Sequence, residues 1–344
     1  MQVIILCLPF HRRSRESKMG KIRAGIIGAG YFAEAVHLPA LSRNSDIQMV
    51  AICRRSEGPL KVTAVKYGIP KTYTDYREMI AREKLDAVYV LVSIEKTLEI
   101  ASATMEAGIP TLLEKPPGKD SKEARKLCEV ADRTGTLNIV AFNRRHSPMV
   151  RRAKEMMGTR IVRTASARML RFHRYEDNFV LGTGIHALDT LRYLGGEVAE
   201  VETAKGDATD AKGGTNIVSI LYYASGAIGQ LTVQTACGMS YEDYEVHAED
   251  ASALIVMPQG GFGDEVGRFE FWHGPTYPLK SLNRDIPDVY RGPGMMDGIY
   301  DEDADLVRHI RAGTRSPNDV HDSLETMLLA EAIQRGGRQK VEKA

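Results

Sequence analysis

At 344 residues the chain is longer than one hydrophobic core usually organises, so two domains are expected. With 43% hydrophobic and 26% charged residues it has the composition of a soluble globular enzyme. A formal net charge of +1, with Lys and Arg scattered along the chain, excludes the electrostatic footprint of a nucleic-acid or membrane-surface binder. Residues 1–20 read as a disordered extension. A short apolar run there precedes the basic stretch at 11–15, the reverse of a secretory signal, and it is too short to span a bilayer.

From 21 to 145 short apolar runs alternate with amphipathic ones. Strands are expected over 23–27, 49–52, 87–92, 111–113 and 138–141. Helices are expected over 33–42, 60–67, 76–82, 97–107 and 121–134, three of them closed by Gly68, Gly108 and Gly135. Continuously apolar strands alternating with helices predict a parallel sheet covered on both faces. From 146 to 336 the pattern changes. Strands over 215–224, 227–236, 244–248, 252–257 and 268–272 predict an open, mostly antiparallel sheet, with helices over 185–194, 302–311 and 320–334. The last helical stretch is expected to pack back on the first domain. The fold class is therefore α/β: an N-terminal Rossmann dinucleotide-binding domain and a C-terminal α/β domain.

Gly28-Ala29-Gly30-Tyr31-Phe32-Ala33 fits G-x-G-x-x-A between the first strand and the first helix. Gly28 permits the tight turn, Gly30 lets a pyrophosphate approach the backbone, and Ala33 lets the helix pack close. The helix N-terminus, with Ala29, Tyr31 and Phe32 around it, then offers N–H groups to phosphate. The second strand ends in Arg54-Arg55-Ser56, where an NAD-selective site usually carries Asp or Glu for the ribose 2′-hydroxyl. Two guanidiniums and no carboxylate favour a 2′-phosphate, so NADP is expected over NAD. Cys7, Cys53, Cys128 and Cys237 form no C-x-x-C pair, and the histidines have no ligand spacing. Reduced thiols, a cytoplasmic location and no metal follow.

Further along stand Ala107-Gly108-Ile109-Pro110 leading to Glu114-Lys115-Pro116, then Phe142-Asn143-Arg144-Arg145 and Gly184-Ile185-His186-Ala187-Leu188-Asp189. With the glycine fingerprint and the stretch 307–313, these make the chain resemble the Gfo/Idh/MocA family of glucose–fructose oxidoreductase and inositol dehydrogenase-like enzymes. The resemblance implies that Glu114 and Lys115 lie beside the cofactor, Lys115 next to the reacting hydroxyl as well. It implies that His186 is the acid–base, and that Asn143 and Arg144 line the substrate cleft. It also implies a homodimer or homotetramer. The family's usual Asp four residues before the His is replaced by Gly182. His186 is expected in a first helical turn that Thr183 could cap. Asp189 shares its face, placed either to orient the ring or to pair with Arg192. His37 reads as structural.

The expected function is an NADP-favouring dehydrogenase or reductase acting on CH–OH groups of a sugar, polyol or related hydroxy/keto compound. Two other readings stand beside it: a non-catalytic dinucleotide-binding regulator, and an NAD-dependent glycosidase-type member.

Overall fold

The computed structural model describes residues 20–176, 178–206, 214–258, 267–274, 279–281, 290, 292 and 294–344. Apart from Gly20, the expected N-terminal extension lies outside the described residues. The described residues form two compact units, one of 20–142 with Ile299–Leu324 and one of Asn143–Gly298 with Glu325–Lys343.

The first unit is built on six parallel strands: β1 (Ile22–Ile27), β2 (Ile47–Cys53), β3 (Lys71–Tyr73), β4 (Ala87–Val90), β5 (Thr111–Leu113) and β6 (Asn138–Val140). Their order is β3-β2-β1-β4-β5-β6, so the strand sequence reverses direction of growth between β1 and β4. That reversal is the switch point where open α/β sheets bind ligands, outside the carboxyl ends of the strands. Every residue of β4 and β5 is buried, as expected for strands covered on both faces. The three-residue β3 escapes a pattern search because Lys71 and Thr72 are exposed and nothing apolar marks the edge.

Between the strands run α1 (Leu38–Arg43), α2 (Glu57–Tyr67), α3 (Tyr76–Arg82), α4 (Ile94–Glu106) and α5 (Ser121–Thr134). Two start on side-chain caps: Asp75 accepts the Arg77 N–H and Asp120 accepts the Glu123 N–H, each at 2.9 Å. The expected 33–42 helix is a π turn, Ala33–His37, continued by α1. The core gathers Ile26, Leu41, Ile52, Tyr89, Leu112 and Ile139.

The second unit contains α6 (Pro148–Met157), β7 (Thr164–Phe172), α7 (Ile185–Gly195), β8 (Val198–Lys205), β9 (Asn216–Tyr223), β10 (Ile228–Cys237), β11 (Tyr241–His247), β12 (Ala251–Val256), β13 (Arg268–His273) and β14 (Leu279–Ser281). Its nine-stranded sheet runs β14-β13-β12-β11-β7-β10-β9-β8-β15, closed at one edge by β15 (Gly337–Lys340). Pairing is antiparallel except between β7 and β10, which are parallel. Helices α6 and α7 cover one face, over Ala165, Ala167, Met169, Tyr244 and Val246. Val218, Ile220 and Ile228 remain exposed.

The chain returns to the first unit with α8 (Ile299–Ala312), whose Leu306 and Val307 join that unit's core. Helix α9 (Val320–Arg335) begins there and ends in the second unit.

Candidate active site

In the first unit, the turn after β1 is fixed by sterics. Gly28 has φ +99, and a Cβ there would stand 2.1 Å from the Leu91 carbonyl oxygen. Its N–H donates to the Cys53 carbonyl at 2.9 Å, tying the ends of β1 and β2, and the Leu91 N–H donates to the Ile27 carbonyl at 2.7 Å, tying in β4. Gly30 differs: a Cβ there would meet nothing within 4 Å. Nothing among the described residues requires a glycine at 30, and the open space there would admit a ligand to the backbone. Tyr31 and Phe32 follow it, 81% and 41% exposed, and Ala33 is buried against the core. This cradle fits a dinucleotide pyrophosphate.

The carboxyl end of β2 corrects one expectation. The acid next in sequence to Arg54, Arg55 and Ser56 is Glu57, which pairs with Lys61 at 2.7 Å, and the structure brings a second carboxylate to Arg54 from the fingerprint helix. Glu34 Oε1 lies 3.1 Å from Arg54 Nη1 and accepts a 3.0 Å bond from Thr63 Oγ1. Arg55 and Ser56 are exposed, and neither side chain makes a hydrogen bond among the described residues. Glu34 stands one residue beyond the fingerprint, so position alone could have drawn attention to it; its partner could not be inferred.

Glu114 and Lys115 follow β5. The Glu114 N–H donates to the Val90 carbonyl at 3.0 Å, and Glu114 Oε2 accepts the Lys115 N–H at 3.1 Å. The other carboxylate oxygen lies 2.7 Å from His37 Nε2, and His37 Nδ1 lies 3.0 Å from Asp303 Oδ1 on α8. Burial alone would lower the His37 pKa. The Asp303 charge and hydrogen bond, followed by those of Glu114, outweigh it and hold the imidazole well above its ordinary 6.5. His37 is fully buried and braces Glu114 from behind, a structural duty with a direct line to the residue before Lys115. Ligand atoms of His37, Glu302 and Asp303 come within 4.8 Å of one another. Both His37 nitrogens face carboxylates, those of Glu114 and Asp303.

In the second unit, Asn143, Arg144, Arg145 and His146 form a 3-10 turn. Arg144 meets Glu242 through Nε and Nη2 at 3.1 and 3.3 Å, and Nη1 donates to Asn143 Oδ1 at 3.1 Å. Arg171 also donates to Glu242, and Tyr244 Oη does so at 2.7 Å. Burial would raise the Glu242 pKa, but the two guanidiniums hold the carboxyl well below its ordinary 4.5. Burial pushes Asp297 in the opposite direction, above 3.8; its backbone carbonyl accepts from Asn143 Nδ2 at 3.1 Å. Three of the five Arg144 N–H donors are therefore committed within the protein, which the sequence did not reveal. Glu242 and Asp297 carry no sequence signal, since both lie more than ninety residues from Arg144.

His186 is buried in α7, 7% exposed. The expected cap is not there. Thr183 lies inside a π turn, Val180–Gly184, that runs unbroken into α7, and no side chain caps the junction. His186 is therefore deeper in the helix than a first turn, and the dipole argument for its neutral form loses force. A Cβ at Gly182 would meet nothing within 4 Å, so the space for the family's usual Asp is open. Asp189 is fully buried and takes Arg145 Nε and Nη2 at 2.5 and 2.6 Å. Thr326 also donates to Asp189 at 3.2 Å, and Arg192 donates to Thr326 and to Glu197.

A glycine turn at the switch point of a six-stranded parallel sheet, followed by a second α/β unit, defines a two-domain dinucleotide-binding protein. The chain belongs to the GFO/IDH/MocA family. Residues 22–142 match its oxidoreductase domain with NAD-binding Rossmann fold, and residues 160–254 match its C-terminal domain. D-glucoside 3-dehydrogenase of Escherichia coli K12 is 27% identical over 188 residues, covering 50% of this chain and 54% of that protein. The match thus spans about half the length of that relative. D-xylose 1-dehydrogenase (NADP(+)) 2 of Haloferax volcanii is 24% identical over 60% of this chain and 67% of that protein. Levoglucosan dehydrogenase in complex with NADH and L-sorbose shares the fold, with TM-score 0.77 at 18% identity over 95% of this chain and 100% of the other. Among the described residues, no helix is long and apolar enough to cross a membrane.

Proposed function

We propose that the protein is an NADP-favouring oxidoreductase acting on a CH–OH group of a sugar, polyol or related hydroxy/keto compound. The observation that carries this reading is the alignment of Gly28, Leu91 and Lys115 just past the carboxyl ends of β1, β4 and β5, three neighbouring strands at the switch point. The names of the relatives, dehydrogenases of a glucoside and of xylose, support the carbohydrate class.

The dinucleotide, when bound, supplies or accepts the hydride. Backbone groups from Gly28 to Phe32 hold its pyrophosphate, Arg54, Arg55 and Ser56 its adenosine end, and Glu114 and Lys115 the nicotinamide side. The Lys115 ammonium donates a hydrogen bond to the oxygen that alternates between hydroxyl and carbonyl, stabilising its developing charge. His186 serves as the acid–base of the reaction. Asn143 and Arg144 contribute to substrate binding, Arg144 through the donors that Glu242 and Asn143 leave open. The exposed Val218, Ile220 and Ile228 support homodimer or homotetramer assembly through the open sheet face.

A screen of sugars and polyols with NADP⁺ and NAD⁺, read at the nicotinamide absorbance band, tests the reading. Turnover with at least one polyhydroxy compound is expected. Tight dinucleotide binding without turnover across the screen would favour the regulator instead. On an identified substrate, Lys115→Met should abolish hydride transfer and leave NADPH affinity close to the parent's. Turnover near the parent rate would remove Lys115 from the reaction.

A further inference from the structure

The acid that usually discriminates between the two dinucleotides sits at the end of the second strand, about twenty residues past the fingerprint. Here the corresponding stretch is basic, and a carboxylate arrives from a different element. Glu34 lies six residues past Gly28, and its Oε1 is held between Arg54 at 3.1 Å and Thr63 at 3.0 Å. Thr63 shares its one hydroxyl proton between Glu34 and the Pro59 carbonyl, both at 3.0 Å, and Tyr67 Oη donates to the Glu34 backbone carbonyl. Helix α2 thus fixes the position of Glu34. Glu34 Oε2 has no hydrogen-bond partner among the described residues, and the side chain is 34% exposed.

We propose that Glu34 sets the balance between the two cofactors. Resting on the reading of Arg54, Arg55 and Ser56 as the adenosine end, its carboxylate acts in two opposite ways. Towards a ribose diol it is an acceptor, through the open Oε2, and takes the place of the missing strand-end acid. Towards a 2′-phosphate it is a competitor, because it occupies a donor of Arg54 and adds negative charge where the dianion must bind. Arg55 and Ser56 are the groups already open to a phosphate. Arg54 can join them through the N–H donors that Glu34 leaves open, but its charge is then shared between two anions. The site therefore accepts both cofactors, and its preference for NADPH is smaller than two unopposed arginines would give.

The test is a fluorescence titration with NADPH and with NADH, requiring no substrate. Glu34→Gln keeps shape and hydrogen bonding at a partly exposed position and removes the charge. It should raise the ratio of NADPH to NADH affinity by about tenfold, the size of one charge-assisted hydrogen bond discounted for partial exposure. In an Arg54→Met background the same substitution should shift the ratio by clearly less, because the competition for Arg54 is gone. An unchanged ratio in Glu34→Gln overturns the proposal. The underlying reading fails separately: Arg55→Ala should weaken NADPH more than NADH, and equal affinities in that variant and its parent would mean the adenosine end binds elsewhere.

Discussion

Two buried residues of α7, three positions apart, have different work to do. Both oxygens of Asp189 are bound by the Arg145 guanidinium, and Thr326 adds a third bond in a site with no solvent access. Removing one member of such a pair leaves the other charged and desolvated, which costs more than the pair itself contributes. Asp189→Asn should therefore destabilise the protein by about 3–5 kcal/mol, read as a shift in denaturant midpoint. His186→Ala should instead leave the midpoint within about 1–2 kcal/mol of the parent's and lower kcat by roughly 10²–10⁴-fold on an identified substrate. A stable Asp189→Asn variant would show that the Arg145 pair is dispensable. An unchanged rate in His186→Ala would return that histidine to a packing role.

At the scale of the element, the turn between β1 and the following helix separates two uses of glycine. Gly28 is demanded by the fold itself, by φ +99 and the 2.1 Å approach of a Cβ to Leu91. Gly30 is demanded by neither. Gly28→Ala should lower apo stability by about 1–3 kcal/mol, the cost of a left-handed non-glycine residue before the clash is counted. Gly30→Ala should leave apo stability unchanged and weaken dinucleotide binding at least tenfold, measurable by calorimetric titration. Unimpaired binding in Gly30→Ala would mean that the pyrophosphate does not approach there. This element was legible in the sequence because it is local: strand, glycine spacing and helix are contiguous. The π turn before α7 was not, since no residue pattern distinguishes Val180–Gly184 from an ordinary helical turn, and Thr183 suggested a cap that does not form. Strand β7 was missed for another reason. Arg171 falls on the buried face of its alternation, where a charge breaks the apolar pattern, and it is compatible with a strand because Glu242 on β11 receives it, as Asp243 receives Arg168 on the outer face. Those long-range partners lie about seventy residues away, beyond any periodicity argument.

Taken over the whole molecule, each unit carries a buried charge cluster, and the two respond to pH in opposite directions. In the first unit His37, facing Asp303 and Glu114 with Glu302 close by, has its folded-state pKa raised above 6.5. A raised cation stabilises fully below its unfolded value, and that contribution is lost as pH rises through the folded one. In the second unit Glu242, between Arg144 and Arg171, has its pKa lowered from 4.5. A lowered carboxylate stabilises fully above its unfolded value, and that contribution is lost as pH falls through the folded one. Both contributions are present together between about pH 4.5 and 6.5. Comparing each variant with the parent isolates its own cluster from the remaining groups. The parent's advantage in melting temperature over His37→Gln should be largest in that window and shrink as pH rises above about 6.5. Its advantage over Glu242→Gln should persist at alkaline pH and shrink as pH falls below about 4.5. Scanning calorimetry from acid to alkaline buffers reads both trends. If the His37→Gln difference grew with pH, the ring would be neutral in the folded protein. Glu114 would then be braced by a neutral hydrogen bond, and the charge assigned behind Lys115 would have to be withdrawn.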